Sequence, residues 1–167
     1  VMPNLQEDIF FMQLAYQQAC LAFALGEVPV GAVLVQQGQV IAQAHNSVKT
    51  EGLPTAHAEM KVLNQGARHL GDWRLNALRL YVTKEPCPMC AGALIMARVG
   101  EVVFGVPDPK MGCLGGALAL EALPGLNHHL KVRGGVYAQP CQALLQDFFR
   151  QRRMQNKEKK RGLNRQE

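Results

Sequence analysis

The sequence lacks a long apolar run, has few aromatic residues and carries a modest density of charge. Aromatic residues make up 6% of its 167 residues and charged residues 19%, while hydrophobic residues reach 48%. This composition excludes general disorder and is typical of one globular domain. No apolar run approaches the roughly 18 residues of a membrane span, and no charged-then-apolar leader opens the sequence. We therefore expect a cytoplasmic protein that does not act at a membrane.

Cysteine is scarce and odd in number. The five cysteines cannot all pair, and without a secretion signal a disulfide framework is not expected. Cys20 and Cys141 fall in helical patterns, which indicates small buried residues. Cys113 lies in a glycine-rich loop, where its sequence context leaves its role open. Cys87 and Cys90 form a C-x-x-C motif, which is a metal-ligand or redox spacing.

Acidic residues are scarce at the end of the chain, where basic residues concentrate. Residues 150–167 hold eight basic and two acidic side chains, a charge of +6, whereas the other 149 residues carry −1. Clustered Lys and Arg gain affinity for nucleic acid by releasing its counterions, but such runs also serve as solvated, solubilising segments. Charge alone leaves both interpretations open.

Helical and strand-like patterns alternate along the chain after an opening helix and hairpin. Apolar spacing predicts helices over residues 6–26, 56–69, 88–97 and 117–123, and from Pro140 into the basic end. Strands are predicted over residues 28–35, 39–44, 78–83, 99–104 and 130–137, with loops over 45–55 and 105–116. This order favours an α/β fold with a helix-covered mixed sheet, antiparallel at its start and parallel later.

Local patterns predict which residues face inward or begin a helix. Thr55 is the expected N-cap of the helix over residues 56–69. One face of the first helix is expected to be apolar through Phe10, Leu14, Leu21 and Leu25. The last helix has an apolar face made of Cys141, Leu144, Leu145, Phe148 and Phe149.

Three side chains suited to metal binding come from two motifs, each at the start of a predicted helix. The motifs are H-A-E at residues 57–59 and P-C-P-M-C at residues 86–90. Imidazole and thiolate suit Zn²⁺, and a helix N-terminus favours the thiolate form that binds metal. The spacing therefore predicts one zinc ion per subunit, held by His57, Cys87 and Cys90.

Three protein ligands leave a fourth position for water, as in a catalytic zinc site. Zinc can lower the pKa of that water from about 15.7 to about 7. Glu59 lies two residues after His57 and is placed to move a proton from the water to a substrate nitrogen. A structural site would need a fourth protein ligand, for which Cys113, His45 and His128 are candidates. The rare combination of both motifs at helix starts favours the catalytic interpretation.

Longer segments around these motifs carry a family resemblance. They are V-P-V-G-A-V at 28–33, P-T-A-H-A-E at 54–59, L-Y-V-T at 80–83, E-P-C-P-M-C-A-G-A at 85–93, V-V-F-G at 102–105, N-H at 127–128 and D-F-F-R at 147–150. With them the sequence resembles the bacterial tRNA-specific adenosine deaminases from about residue 6 to 155. The resemblance implies a three-layer α/β/α cytidine-deaminase-like fold, a homodimer, and hydrolysis of the wobble adenosine of a tRNA anticodon to inosine.

The resemblance also implies roles for particular side chains. The predicted zinc ligands match those of the family, and Glu59 matches its proton shuttle. Asn46 matches the Asn that hydrogen-bonds the purine, since its amide offers both a donor and an acceptor. Further substrate contacts are implied for Val30, Ala58, Pro86, Asp108, Lys110, Phe149, Arg150, Arg152 and Arg153.

Two other functions compete with wobble adenosine deamination. A deaminase of free guanine or cytosine would use the same metal motif, but a free base has no phosphates for the basic end to attract. A non-catalytic, zinc-stabilised RNA-binding subunit is the alternative from another class, and the presence of Glu59 argues against it. Residues 1–155 are expected to form one deaminase domain that binds the anticodon stem-loop. Residues 156–167 are expected to be a basic tail, either extending the last helix or disordered.

Overall fold

Five strands and five α-helices follow one another within residues 4–165, which the computed structural model describes. A 3₁₀ turn, Leu120–Ala122, precedes the last strand. In chain order the elements are α1 (Leu5–Ala24), β1 (Gly31–Gln36), β2 (Gln39–His45), α2 (Val48–Glu51), α3 (Ala58–Leu70), β3 (Arg79–Lys84), α4 (Pro88–Met96), β4 (Glu101–Val106), β5 (Lys131–Arg133) and α5 (Ala138–Leu163).

The strands form one mixed sheet in the order β2-β1-β3-β4-β5. β1 pairs antiparallel with β2 and β3, whereas β3–β4 and β4–β5 are parallel. Gln37 and Gly38 close the opening hairpin with positive φ angles of 48° and 76°, as a tight two-residue turn requires. The predicted five-stranded sheet with an antiparallel start and a parallel continuation is confirmed.

Helices cover both faces of the sheet because the strands alternate between two hydrophobic clusters. Leu34 and Val82 point to the cluster that α3 and α4 cover. Val33 and Tyr81 point to the opposite cluster, against α1. α5 packs beside α1 and over β4. The predicted helices on both faces are therefore confirmed.

The first helix buries a different face from the one that its leucines predict. Phe10, Leu21 and Leu25 are more than half exposed, so the expected apolar face of α1 is wrong. The buried residues of this helix are Asp8, Phe11, Met12, Ala15, Ala19 and Ala22. Alanines face the sheet because α1 lies against Gly31, where a Cβ atom would overlap backbone atoms of Ala15 and Ala19.

Several predicted boundaries also differ from the structure. The helix over residues 56–69 begins at Ala58 with His57 as its N-cap, so the assignment of Thr55 as the cap is wrong. The predicted loop over 45–55 contains α2, and β5 is limited to Lys131–Arg133, after which Gly135 has a positive φ angle of 83°. On α5, Phe148 is buried but Phe149 is 43% exposed.

The basic end continues the last helix as far as Leu163. Residues 166 and 167, the end of the predicted tail, lie outside the described residues. None of the helices within residues 4–165 combines the length and apolar content that crossing a bilayer requires.

A buried ion network joins α1 to the strands at the amino ends of β3 and β4. Asp8 accepts a hydrogen bond from the hydroxyl of Tyr81 at 2.8 Å and pairs with Arg133. Glu101 bridges Arg133 and Arg79 at 2.6 and 2.8 Å. Burial opposes ionisation, but the bonds from Arg133 and Tyr81 hold the pKa of Asp8 below its ordinary value. This network fixes the edge of the sheet opposite to the carboxyl ends of β3 and β4.

Replacing Gly31 with alanine tests the close contact between α1 and β1. We expect Gly31→Ala to lower the free energy of unfolding by about 1–3 kcal/mol, as overpacking a tight core does. Urea denaturation measures the change. Gly162→Ala is the matched control, because a Cβ at that helical position meets nothing within 4 Å. An unchanged stability for Gly31→Ala would contradict the close packing of α1.

Candidate active site

The three predicted metal ligands lie together. The Nδ1 atom of His57 is 3.6 Å from the Sγ of Cys87 and 3.4 Å from the Sγ of Cys90. Their ligand atoms all lie within 4.8 Å of one another, a grouping that could hold a metal ion. The structure thus brings a motif from residues 57–59 into contact with one from residues 86–90.

Two helix N-termini produce this contact. His57 is the N-cap of α3 and Cys87 is the N-cap of α4, with Pro88 in the first helical position. Cys90 lies in the same first turn of α4 and is fully buried. Free backbone N–H groups and the positive ends of both helix dipoles therefore face the thiols, which stabilises negative charge on sulfur.

The proximity of these three side chains shifts their pKa values. Contact with Cys90 lowers the pKa of Cys87 to about 4, with help from His57. The neighbouring Cys87 and burial raise the pKa of Cys90, and the bond to Cys87 raises the pKa of His57. The low pKa of Cys87 thus favours its thiolate form within the group. A divalent cation would stabilise a second thiolate by replacing the shared protons.

Glu59 is the second residue of α3 and lies beside the cluster. Its side chain is 4% exposed, and burial raises the pKa of its carboxyl above the ordinary value. A carboxyl in this setting can accept a proton and hold it as a neutral acid. It is not one of the three residues whose ligand atoms are grouped.

A cavity of about 320 Å³ opens in front of the cluster. This volume is at the lower end of the range for small-molecule sites. The cavity lies where β1 begins and β2, β3 and β4 end, so topology alone brings four chain segments to its rim. Its lining includes the predicted residues Val30, Asn46, His57, Ala58, Glu59, Cys87 and Asp108.

Asn46 has an unused hydrogen-bond acceptor at this cavity. Its side-chain nitrogen donates to the carbonyl of Val28 at 3.2 Å, and its backbone N–H donates to the carbonyl of Val30 at 3.0 Å. Its Oδ1 atom is buried without a partner among the described residues. The amide is therefore held through its nitrogen, and its oxygen keeps an unfilled acceptor position.

Asp108 reaches the cavity from the loop after β4. Its carboxylate pairs with Lys84 at 3.0 Å, and it accepts the N–H groups of Lys110 and Met111 at 3.0 and 3.1 Å. Burial opposes ionisation, but Lys84 and these N–H groups hold the pKa of Asp108 below its ordinary value. The loop is therefore a compact turn built around a charged side chain.

The remaining predicted substrate residues are not part of the cavity lining. Phe149 and Arg153 line an adjoining groove with Lys84 and Asp108, which also line the cavity. The guanidinium of Arg152 covers the ring of Phe148 at 5.2 Å. Of the others, Arg150 pairs with Asp147, Lys110 is exposed, and Pro86 is buried with its carbonyl accepting from Cys113.

Sequence reasoning missed seven residues of the cavity lining, namely Glu27, Val28, Val48, Lys49, Lys84, Glu85 and Met111. Glu27 and Glu85 are buried at 2% and 4% exposure. These residues have no regular spacing in the sequence, because the pairing of separate strands brings their segments to the cavity. The one signal in the sequence was an acidic residue directly before each of two recognised segments, V-P-V-G and P-C-P-M-C.

The candidate fourth protein ligands are not part of the cluster within the described residues. Burial raises the pKa of Cys113, which keeps it a thiol, and its Sγ lies 3.5 Å from the carbonyl of Met111. The ring of His128 contacts the carbonyl of Val99 at 2.6 Å. The geometry leaves the cluster open toward the cavity.

Comparisons with known proteins agree with this geometry. The chain matches the model of the MafB19-like deaminase family over residues 6–153. It is 46% identical over 158 residues to the tRNA-specific adenosine deaminase of Bacillus subtilis (strain 168), covering 95% of this chain and 98% of that protein. The tRNA-specific adenosine deaminase of Haemophilus influenzae is 42% identical over 151 residues, covering 90% of this chain and 87% of the relative.

A solved structure is similar over most of the chain. It comes from studies of A-to-I editing by tRNA:A34 deaminases at the wobble position of transfer RNA. The two superpose with a TM-score of 0.79 at 38% identity, covering 81% of this chain and 99% of that one. The expected three-layer α/β/α fold is confirmed by this likeness.

The cluster should bind one metal ion per chain. We expect Cys87→Ser and His57→Ala to lose that ion, because each removes one of three protein ligands. Cys113→Ser should retain it, because Cys113 is outside the cluster. Elemental analysis of the purified variants measures the metal content. A Cys113→Ser variant without metal would contradict the three-ligand site.

Proposed function

The chain belongs to the family of tRNA-specific adenosine deaminases, and we propose that it hydrolyses the wobble adenosine of a tRNA anticodon to inosine. In this reaction water replaces the exocyclic amine at C6 of adenine, and ammonia leaves. The observation that carries the proposal is one cavity lined by His57 and Cys87 of the His–Cys–Cys cluster, by the buried Glu59, and by Asn46, whose Oδ1 has no partner among the described residues.

Zn²⁺ is the metal that fits the cluster best. Tetrahedral zinc with Zn–N near 2.0–2.1 Å and Zn–S near 2.3 Å separates nitrogen from sulfur by about 3.6 Å. The two distances from His57 to the cysteines are 3.6 and 3.4 Å. When bound, zinc acts as a Lewis acid that lowers the pKa of a coordinated water to about 7.

Glu59 carries the protons in this proposal. Burial raises the pKa of its carboxyl above the ordinary value, which makes its carboxylate a stronger base. Glu59 can therefore take a proton from the attacking water and deliver it to N1 of the adenine. It can then take the remaining proton from the hydroxyl formed at C6 and deliver it to the departing amine. Such general acid–base transfer is typically worth about 10²–10⁴-fold in rate.

The cavity is sized for a base rather than for a folded nucleic acid, so the target nucleotide must enter unstacked. An anticodon loop is single-stranded, which makes that extrusion inexpensive in free energy. Inside, Asn46 offers its Oδ1 to a donor of the nucleoside, while Val30 and Ala58 supply apolar walls. Asp108 and Met111 line the same cavity from the loop after β4.

A basic stripe on α5 supports RNA as the partner. Arg150, Arg153, Lys157 and Lys160 recur every three or four residues, and Arg161 follows Lys157 by four, so the five share one exposed face of the helix. The stripe includes Arg153 in the groove that adjoins the cavity. It can therefore contact phosphates of the anticodon stem while the loop supplies the base.

We include in the proposal a homodimer and a cytoplasmic location. The family resemblance implies the dimer, and light scattering can test it against the chain mass of 18.4 kDa. All five cysteines are free thiols, which is the usual state in a reducing compartment.

An anticodon stem-loop with adenosine at the wobble position should yield inosine and ammonia. We expect Glu59→Gln to lower turnover by about 10²–10⁴-fold while zinc content and RNA binding persist. Chromatography of nucleosides from the treated RNA measures inosine. Faster turnover of free guanine than of the stem-loop would favour the nucleobase deaminase, and binding without any turnover by the unmodified protein would favour the RNA-binding subunit.

Removing residues 156–167 should weaken tRNA binding without unfolding the protein. The described residues of this segment are exposed, so the core and the cluster stay intact. Each phosphate interaction that the truncation removes should flatten the slope of log K against log salt by roughly 0.7–0.9. Binding curves at several salt concentrations measure the slope. Lys157→Gln on the stripe should flatten it, whereas Lys159→Gln on the opposite side of α5 should not; equal slopes would contradict the role of the stripe.

A further inference from the structure

We propose that Glu85 is the positioning residue for the loop of residues 107–116, and through this loop for the nucleotide in the cavity. The inference rests on the proposed function, because it concerns how the substrate of that site is held. Glu85 is buried, follows β3 and precedes the cluster residue Cys87 by two positions. Its carboxylate faces the loop and does not belong to the metal group.

The Glu85 carboxylate binds three backbone N–H groups of the loop. Oε1 accepts from Asp108 at 3.1 Å, and Oε2 accepts from Leu114 at 3.1 Å and Gly116 at 2.9 Å. These donors span nine residues of the loop, so one side chain holds both its start and its end. Charge-assisted bonds of this kind are stronger than neutral ones.

Two glycines allow the loop to close on this carboxylate. A Cβ atom at Gly112 or Gly116 would overlap the Glu85 carboxylate and the carbonyl of Asp108. Neither glycine has a positive φ angle, so their requirement is space rather than backbone conformation. The loop is therefore shaped to the carboxylate at two points besides the hydrogen bonds.

Backbone and side-chain contacts from the neighbours of Glu85 complete the attachment. Lys84 pairs with Asp108 at 3.0 Å, and the N–H of Glu85 donates to the carbonyl of Val106 at 2.8 Å. The N–H of Cys113 donates to the carbonyl of Pro86 at 2.9 Å. Three consecutive residues before the metal ligand therefore fix the loop.

The loop contributes to the cavity wall but supplies neither the metal ligands nor Glu59. Asp108 and Met111 line the cavity, whereas the metal ligands and Glu59 belong to α3 and the start of α4. Loosening the loop should therefore weaken the hold on the nucleotide and leave the reacting groups in place. Glu85 also lines the cavity, but its carboxylate is occupied by three N–H groups of the loop backbone.

The variant Glu85→Gln tests this role, because the amide keeps the size but removes the charge and one acceptor. We expect KM for the anticodon stem-loop to rise about tenfold with kcat within about threefold. Zinc content per chain should stay unchanged. Trypsin should cleave after Lys110 faster than in the unmodified protein, as fragment masses will show.

Two further variants keep the test decisive. Gly116→Ala displaces the loop while retaining Glu85 and should give the same rise in KM, even if Glu85→Gln does not fold. Asp72→Asn makes an equal change of charge in an exposed pair with Arg74 and should alter neither KM nor cleavage.

Unchanged KM and unchanged cleavage after Lys110 in both loop variants would overturn the proposal. A fall in kcat that follows zinc loss at constant KM would also overturn it, since Glu85 would then serve the metal group alone. The cleavage assay needs no RNA, so failure of the unmodified protein to deaminate the stem-loop refutes the proposed function separately.

Discussion

The N-termini of α3 and α4 meet where the Nδ1 of His57 lies 3.4 Å from the Sγ of Cys90, and the rest of the structure depends on that meeting. Both helices must approach the same sheet edge from the same face, which their packing on Leu34 and Val82 arranges. The parallel pairing of β3 and β4 then directs two loops to that edge. The same meeting brings the carboxyl of Glu59 beside the cluster, because Glu59 occupies the first turn of α3.

Buried carboxylates organise the two walls of the cavity in the same way. Glu27 accepts the backbone N–H and the hydroxyl of Thr50 at 2.6 and 2.9 Å, and so holds the segment that contains α2. Glu85 holds the loop on the other side through three N–H groups. In each case an acceptor on rigid structure satisfies donors that an irregular segment would otherwise leave unpaired. Loop shape thus depends on acceptors in the scaffold as well as on the loop sequence.

The metal group was predictable because each motif is short and local, with its ligands in one turn of one helix. The order of strands and helices was predictable for the same reason. The buried face of α1 was not, because the close approach to Gly31 selects alanines over the larger Phe10, Leu21 and Leu25. Glu27 and Glu85 were equally hidden, since only strand pairing brings them to the cavity. Sequence periodicity records which residues are apolar, whereas steric fit decides which of them face inward.

Because α5 is one uninterrupted helix, each of its basic side chains has a fixed direction around the helix axis. Phe148 is packed into the body, so it fixes the rotation of the helix for everything that follows. Each added or deleted residue between Phe148 and Lys157 would turn the distal lysines by about 100° around the axis. Two chains with identical composition at this end could therefore present their charge to opposite sides. As the sequence diverges, the spacing of the basic residues from Phe148 therefore matters more than the net charge of this segment.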